Sequence, residues 1–154
     1  MKRRIFTGLL AVALCATVMA VAPTRIHAAS PHRTAALAST VESFIRTLNA
    51  ANLSGNFSPL MKFFTAGATL RQSTPAGQTS TFHGIAAINQ FYLGIHAQAP
   101  DFQWSVDAEH SLAKNVIMTY DHIGTAAEPV VGRCAHVYVF KNGKIASYDW
   151  VIYH

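Results

Sequence analysis

The last third of the chain leaves the fold least freedom. Phe102, Trp104, Val106 and Ala108 alternate with Gln103, Ser105 and Asp107, the period-two pattern of a half-buried strand. Asn115 to Gly124, Val130 to Phe140 and Lys144 to Tyr153 read as three more strands. Lys141-Asn142-Gly143-Lys144 is a tight hairpin signal, with Gly143 suited to a left-handed position. Four strands in succession form a meander whose apolar face must be covered by something else in the chain.

The preceding residues supply that cover. Ser30-Pro31 opens a long helix, with Leu37, Val41, Phe44, Ile45 and Leu48 at helical spacing and Glu42, Arg46 and Asn49 on the other side. Asn52 and Ser54-Gly55 stop it. Ser58-Pro59 reads as a cap and first-turn proline for a short second helix. Ala68–Ser73 and Thr79–His83 flank the turn Thr74-Pro75-Ala76-Gly77 and form a hairpin. Gly84 begins a third helix, with Ile85, Ile88, Phe91, Tyr92 and Ile95 on one side. The order predicts an α+β domain: three helices packed on one face of a curved antiparallel sheet.

Charge and cysteine usage narrow the function classes. The 154 residues carry 12 Lys+Arg against 7 Asp+Glu, but Lys2, Arg3, Arg4 and Arg25 all lie within the first 28. From Ala29 on there are 8 basic and 7 acidic residues, a net charge of only +1, so the remainder lacks the footprint of a nucleic-acid binder. Lys2-Arg3-Arg4, the apolar run from Ile5 to Ala22 and Ile26-His27-Ala28 read as an export signal over 1–28, cleaved before Ala29. The alternative is an uncleaved anchor, because the apolar run is just long enough to span a bilayer. The expectation is a secreted or periplasmic domain over 29–154, touching membrane only through its leader. Cys15 lies in the leader and Cys134 stands alone, which predicts neither a disulfide nor a cysteine-based zinc site.

Several strings resemble the nuclear transport factor 2 superfamily, and within it the SnoaL-like polyketide cyclases and ketosteroid isomerases. They are Leu48-Asn49-Ala50-Ala51-Asn52, Gly67-Ala68-Thr69-Leu70, the run from His83 to Tyr92 and the run from Phe140 to Ile145. The resemblance implies a cone-shaped half-barrel with a ligand cavity inside and pairing of two copies through the outer sheet face. It does not carry the isomerase chemistry across. That enzyme uses an Asp base, with a Tyr and a protonated Asp holding the enolate oxygen. By alignment of these strings the Tyr falls on Phe44, the base on Gln72 and the second Asp on His136. Steroid isomerisation is therefore excluded.

Strand pairing predicts what the cavity contains. With a turn centred near Glu128-Pro129, His122 faces His136 and Tyr120 faces Tyr138. A three-residue loop over Lys141-Asn142-Gly143 puts His136 opposite Tyr148 and Cys134 opposite Trp150. Tyr120, His122, Cys134, His136, Tyr138, Tyr148 and Trp150 then share one sheet face, and the resemblance places that face on the concave, pocket-lining side, with Phe44 on the helix above. A two-residue turn on Asn142-Gly143 instead flips the last strand and brings Asp149 inward. His122 and His136 are the candidate acid–base pair, since imidazole titrates near neutrality. The bland alternative is a pair of hydrogen-bonded core histidines.

Two adjacent histidines begin a metal site, but no third ligand or carboxylate stands at ligand spacing, so neither metal nor cofactor is expected. Cys134 reads as a small buried hydrophobe. The opposite face, with Ile117, Val131, Val137, Val139 and Val151 around Asp121, Arg133 and Asp149, is apolar enough to predict a homodimer. Two functions stay open. One is a domain binding a small hydrophobic or aromatic molecule, with acid–base activity of isomerase, cyclase or hydrolase type. The other is a non-catalytic binding or dimerisation module.

Overall fold

A computed structural model describes residues 31–153. The proposed leader lies outside them. No helix among the described residues is long and apolar enough to cross a membrane.

The elements run α1 (Pro31–Ser54), α2 (Ser58–Met61), β1 (Phe64–Ser73), β2 (Thr79–His83), α3 (Gly84–Gln98), β3 (Gln103–Ala113), β4 (Val116–Gly124), β5 (Gly132–Lys141) and β6 (Lys144–Ile152). The six strands form one sheet in the order β2-β1-β6-β5-β4-β3. All neighbours are antiparallel except β1 and β6, which run parallel. That seam joins the N-terminal hairpin, on which α3 packs, to the β6 side of the meander. The result is the expected α+β cone, a curved and unclosed sheet under three helices.

The long helix buries the residues its spacing marks out. Leu37, Val41, Phe44, Ile45 and Leu48 are all in the core. Phe44 drives into the narrow end of the cone, edge-on to Phe63, Phe64, Tyr138 and Tyr148 at 5.7 Å each. Asn49 and Asn52 do more than end the helix. Asn49 bonds both ways with the Trp104 backbone, accepting from its N–H at 2.8 Å and donating to its carbonyl at 2.9 Å. Fully buried Asn52 donates to the carbonyls of Ala99 and Phe102, both at 2.9 Å. One turn of α1 thus fastens the end of α3 and the start of β3, satisfying backbone groups that the sheet leaves free. Ser58 lies inside α2 rather than at its cap, a place taken by Phe57.

The register of the meander decides which side chains enter the cone. The β5–β6 turn is the two-residue form: Lys141 pairs with Lys144, and Asn142 and Gly143 have φ of 53° and 75°. By itself that turn would send Asp149 inward. A bulge at Ala146 cancels the shift, so Tyr138 pairs with Tyr148 and His136 with Trp150, all buried. Asp149 stays outside in a bidentate pair with Arg71 at 2.6 Å.

Between β4 and β5 the expectation fails. Thr119 faces His136 and Asp121 faces Cys134. The turn is centred one to two residues earlier than Glu128-Pro129, which exchanges the two faces of β4. Ile117, Thr119, Asp121 and Ile123 point in, while Tyr120 and His122 do not. The returning loop folds tightly over Gly124, where a Cβ would collide with the Pro129 carbonyl.

Candidate functional site

A cleft of about 710 Å³ opens between α3 and the wide end of the sheet. Its walls are Phe82, Phe91, Phe102, Trp104 and Trp150, with Ile95, Ile123 and Ile152 between them. Trp150 is held edge-on by Phe91 at 5.7 Å and by Trp104 at 6.1 Å. The polar side chains are the amides of Gln72 on β1 and Gln90 and Gln98 on α3, besides the indole N–H groups of Trp104 and Trp150, and the Gln98 amide donates to the Gly94 carbonyl at 3.1 Å. No residue lining the cleft carries an acid or a base. The volume suits a drug-sized ligand and the lining suits an apolar one.

Behind Trp150 lies a second feature. His136, Asp121 and Cys134 are completely buried. The His136 ring meets the Trp150 indole edge-on at 5.7 Å and Tyr148 at 5.2 Å. Its Nδ1 is 2.7 Å from Asp121 Oδ2 and 3.2 Å from the Tyr138 hydroxyl. The carboxylate contact is close but poorly aligned. Neither Asp121 oxygen finds a hydrogen-bond donor among the described residues, and neither does His136 Nε2 find a partner. The Cys134 thiol points at the Asp121 carbonyl at 3.8 Å. Burial first, then the neighbouring Asp121, push that thiol up to about 12, with the Trp150 indole pulling the other way. Burial also holds the Tyr138 and Tyr148 phenols well above their usual range. These tyrosines are neutral packing groups at any ordinary pH.

The expected inner patch is therefore divided. Cys134, His136, Tyr138, Tyr148 and Phe44 meet in the closed part of the cone, and Trp150 is shared between it and the cleft. Tyr120 and His122 are on the outer face. Tyr120 is exposed, and His122 sits 2.7 Å from Asp107, which also reaches Arg133 at 3.4 Å. The two imidazoles do not share a wall. Asp121, which the sequence reading placed outside, is the carboxylate that His136 meets. The amides of Gln90 and Gln98 were missed, although their spacing of eight puts both on the α3 face that carries Phe91 and Ile95.

The three-helix cone with a cleft at its wide end defines a nuclear transport factor 2-like domain. The chain belongs to the SnoaL-like domain family, whose model matches residues 41–148. Among solved structures it resembles a nuclear transport factor 2-like protein of unknown function from Mesorhizobium loti. The identity is 15%, coverage is 78% of this chain and 93% of that one, and the TM-score is 0.60. It also resembles a SnoaL-like family protein from Agrobacterium tumefaciens that carries the provisional name of isomerase (10% identity, 77% and 97% covered, TM-score 0.62). A third is a Sinorhizobium meliloti protein provisionally named a polyketide cyclase (12%, 72% and 97%, TM-score 0.55). At such identities the likeness shows the fold. No curated protein matches the chain.

Proposed function

We propose that this domain binds a small, neutral, mainly apolar or aromatic molecule in the cleft, without transferring a proton to or from it. The observation that carries this reading is the lining: aromatic walls and three amides, with no titratable group among them. Amides donate and accept without charge, which suits a ligand bearing a carbonyl or hydroxyl. Gln72 stands where the resemblance puts the isomerase base, and an amide there cannot remove a proton. An export leader over 1–28 would place this receptor in the periplasm or outside the cell. Two copies would pair through the outer sheet face, where Tyr120, Val131 and Val151 are exposed.

The test is a thermal-shift and tryptophan-fluorescence titration with 2-naphthol and with limonene. At least one should raise the unfolding midpoint and change the emission of Trp104 and Trp150 in wild type, and binding should persist in the more conservative His136→Gln wherever circular dichroism shows that variant folded. If neither probe binds, the reading fails.

One observation favours acid–base catalysis as a second reading. The His136–Asp121 contact lies a single indole away from the cleft. Catalysis would require Trp150 to swing aside, and His136→Ala would then lose turnover while keeping ligand affinity.

A further inference from the structure

We propose that Asp121, Cys134 and His136 form a binding site for one divalent cation of the zinc class, fastening β4 to β5 in the closed part of the cone. The three residues offer a carboxylate oxygen, a sulfur and a ring nitrogen, all within 4.8 Å of one another. This is a donor set that zinc takes readily. Bonds of about 2.0–2.3 Å from one centre call for ligand separations of roughly 3.3–3.6 Å, so small side-chain rotations close the site.

The strongest pointer is what the Asp121 carboxylate and His136 Nε2 lack. Asp121 is fully buried, yet neither of its oxygens meets an aligned donor, and its nearest neighbour is a ring nitrogen 2.7 Å away. A carboxylate in that condition is costly unless a positive charge joins it. A divalent ion between the oxygen, the nitrogen and the sulfur removes the cost. Its two charges balance the carboxylate and a thiolate, so the filled site is neutral. Filling it breaks the S–H bond of Cys134: the sulfur keeps the electron pair and bonds the ion, and the proton leaves to solvent. Three protein ligands leave a fourth position for a water. Trp150 closes the site on the cleft side, so the ion acts in holding strands and does not meet the cleft ligand.

The test uses the full chain carrying Cys15→Ser, stripped with a chelator and titrated with Co2+ and then with Zn2+. The expected result is one Co2+ per chain. It should show a near-ultraviolet thiolate-to-cobalt band and the visible bands of four-coordinate cobalt, both bleached by Zn2+. The unfolding midpoint should rise with Zn2+. Cys134→Ser should abolish the near-ultraviolet band. Asp121→Asn and His136→Gln should each weaken Zn2+ binding by at least about tenfold, with far-ultraviolet circular dichroism reporting whether each apo variant is folded. If a variant does not fold, the cobalt spectrum of the Cys15→Ser chain still decides, because Cys134 is then its only thiol. Cobalt binding without a thiolate band means surface histidines and overturns the proposal. So does Zn2+ affinity unchanged by Cys134→Ser, or no binding at all.

Discussion

Asp121 stands directly across the β4–β5 ladder from Cys134, and its carboxylate lies 2.7 Å from His136 Nδ1 with none of the three side chains reaching solvent. Removing one partner of such a pair strands the other in the core. His136→Ala leaves the buried carboxylate without that neighbour and should cost about 3–5 kcal/mol of stability, whereas Asp121→Ala, which removes a carboxylate with no aligned donor, should cost clearly less. Urea unfolding of both variants checks this. The double variant should lose clearly less than the two losses together, because the groups share one interaction.

Gly94 sits in the middle of α3 and lines the cleft, with open space where a Cβ would go. Gly94→Ala should therefore stabilise the fold by about 0.5–1 kcal/mol, the usual gain from replacing a helical glycine. Gly94→Phe should fill the cleft, abolishing 2-naphthol and limonene binding while leaving the circular dichroism spectrum native. Binding that survives the phenylalanine would place the ligand elsewhere.

Gly124 is the opposite case. The Pro129 backbone occupies the place of a Cβ there, so relief requires moving the β4–β5 loop. Gly124→Ala should cost about 2 kcal/mol or more, in the range of mutations that force the backbone to shift. Thermal unfolding of this variant alongside Gly94→Ala should give shifts of opposite sign.

The Cys134 thiol gives a pH dependence with a definite sign. Folding raises its pKa from 9.0 to about 12, so the folded state keeps a proton that the unfolded chain releases. The associated stability is complete below about pH 9 and is lost as pH climbs towards about 12. In the metal-free Cys15→Ser chain, a thiol reagent at pH 8 should react far more slowly with native than with urea-unfolded protein. Equal rates would show that the thiol is not sealed.

The outer sheet face should join two copies of the chain. Sedimentation velocity is expected to show a dimer, and Tyr120→Arg with Val151→Arg should shift it to monomer without loss of structure. A wild-type monomer at all concentrations would remove this expectation.

The element order was legible because helices and strands announce themselves by periods of 3.6 and 2, and each period here is carried by large apolar residues. The site was legible only in part. Cys134, His136, Tyr138 and Tyr148 share a face as expected, but not through the expected three-residue loop: the two-residue turn and the bulge at Ala146 pair His136 with Trp150 in place of Tyr148, and Cys134 with Ile152 in place of Trp150, a shift of two residues that keeps the face. β4 and β5 join through a longer loop whose centre the residues do not mark, and a small error there exchanged His122 for Asp121. The parallel β1–β6 seam had no local signal at all, since it joins strands far apart in sequence. Gln72 was readable only through the family resemblance, because nothing in a lone glutamine announces a cleft.

The surplus residue at Ala146 has a consequence for how this hairpin can change over descent. The tight tip and the bulge each displace the strand by one step, in opposite senses, and only together do they keep Trp150 inside and Asp149 out. A lineage that gains or loses a single codon in either place would present its carboxylate to the interior. Length changes in this hairpin are thus tolerable only as compensated couples, and the loop and the strand must evolve as one unit.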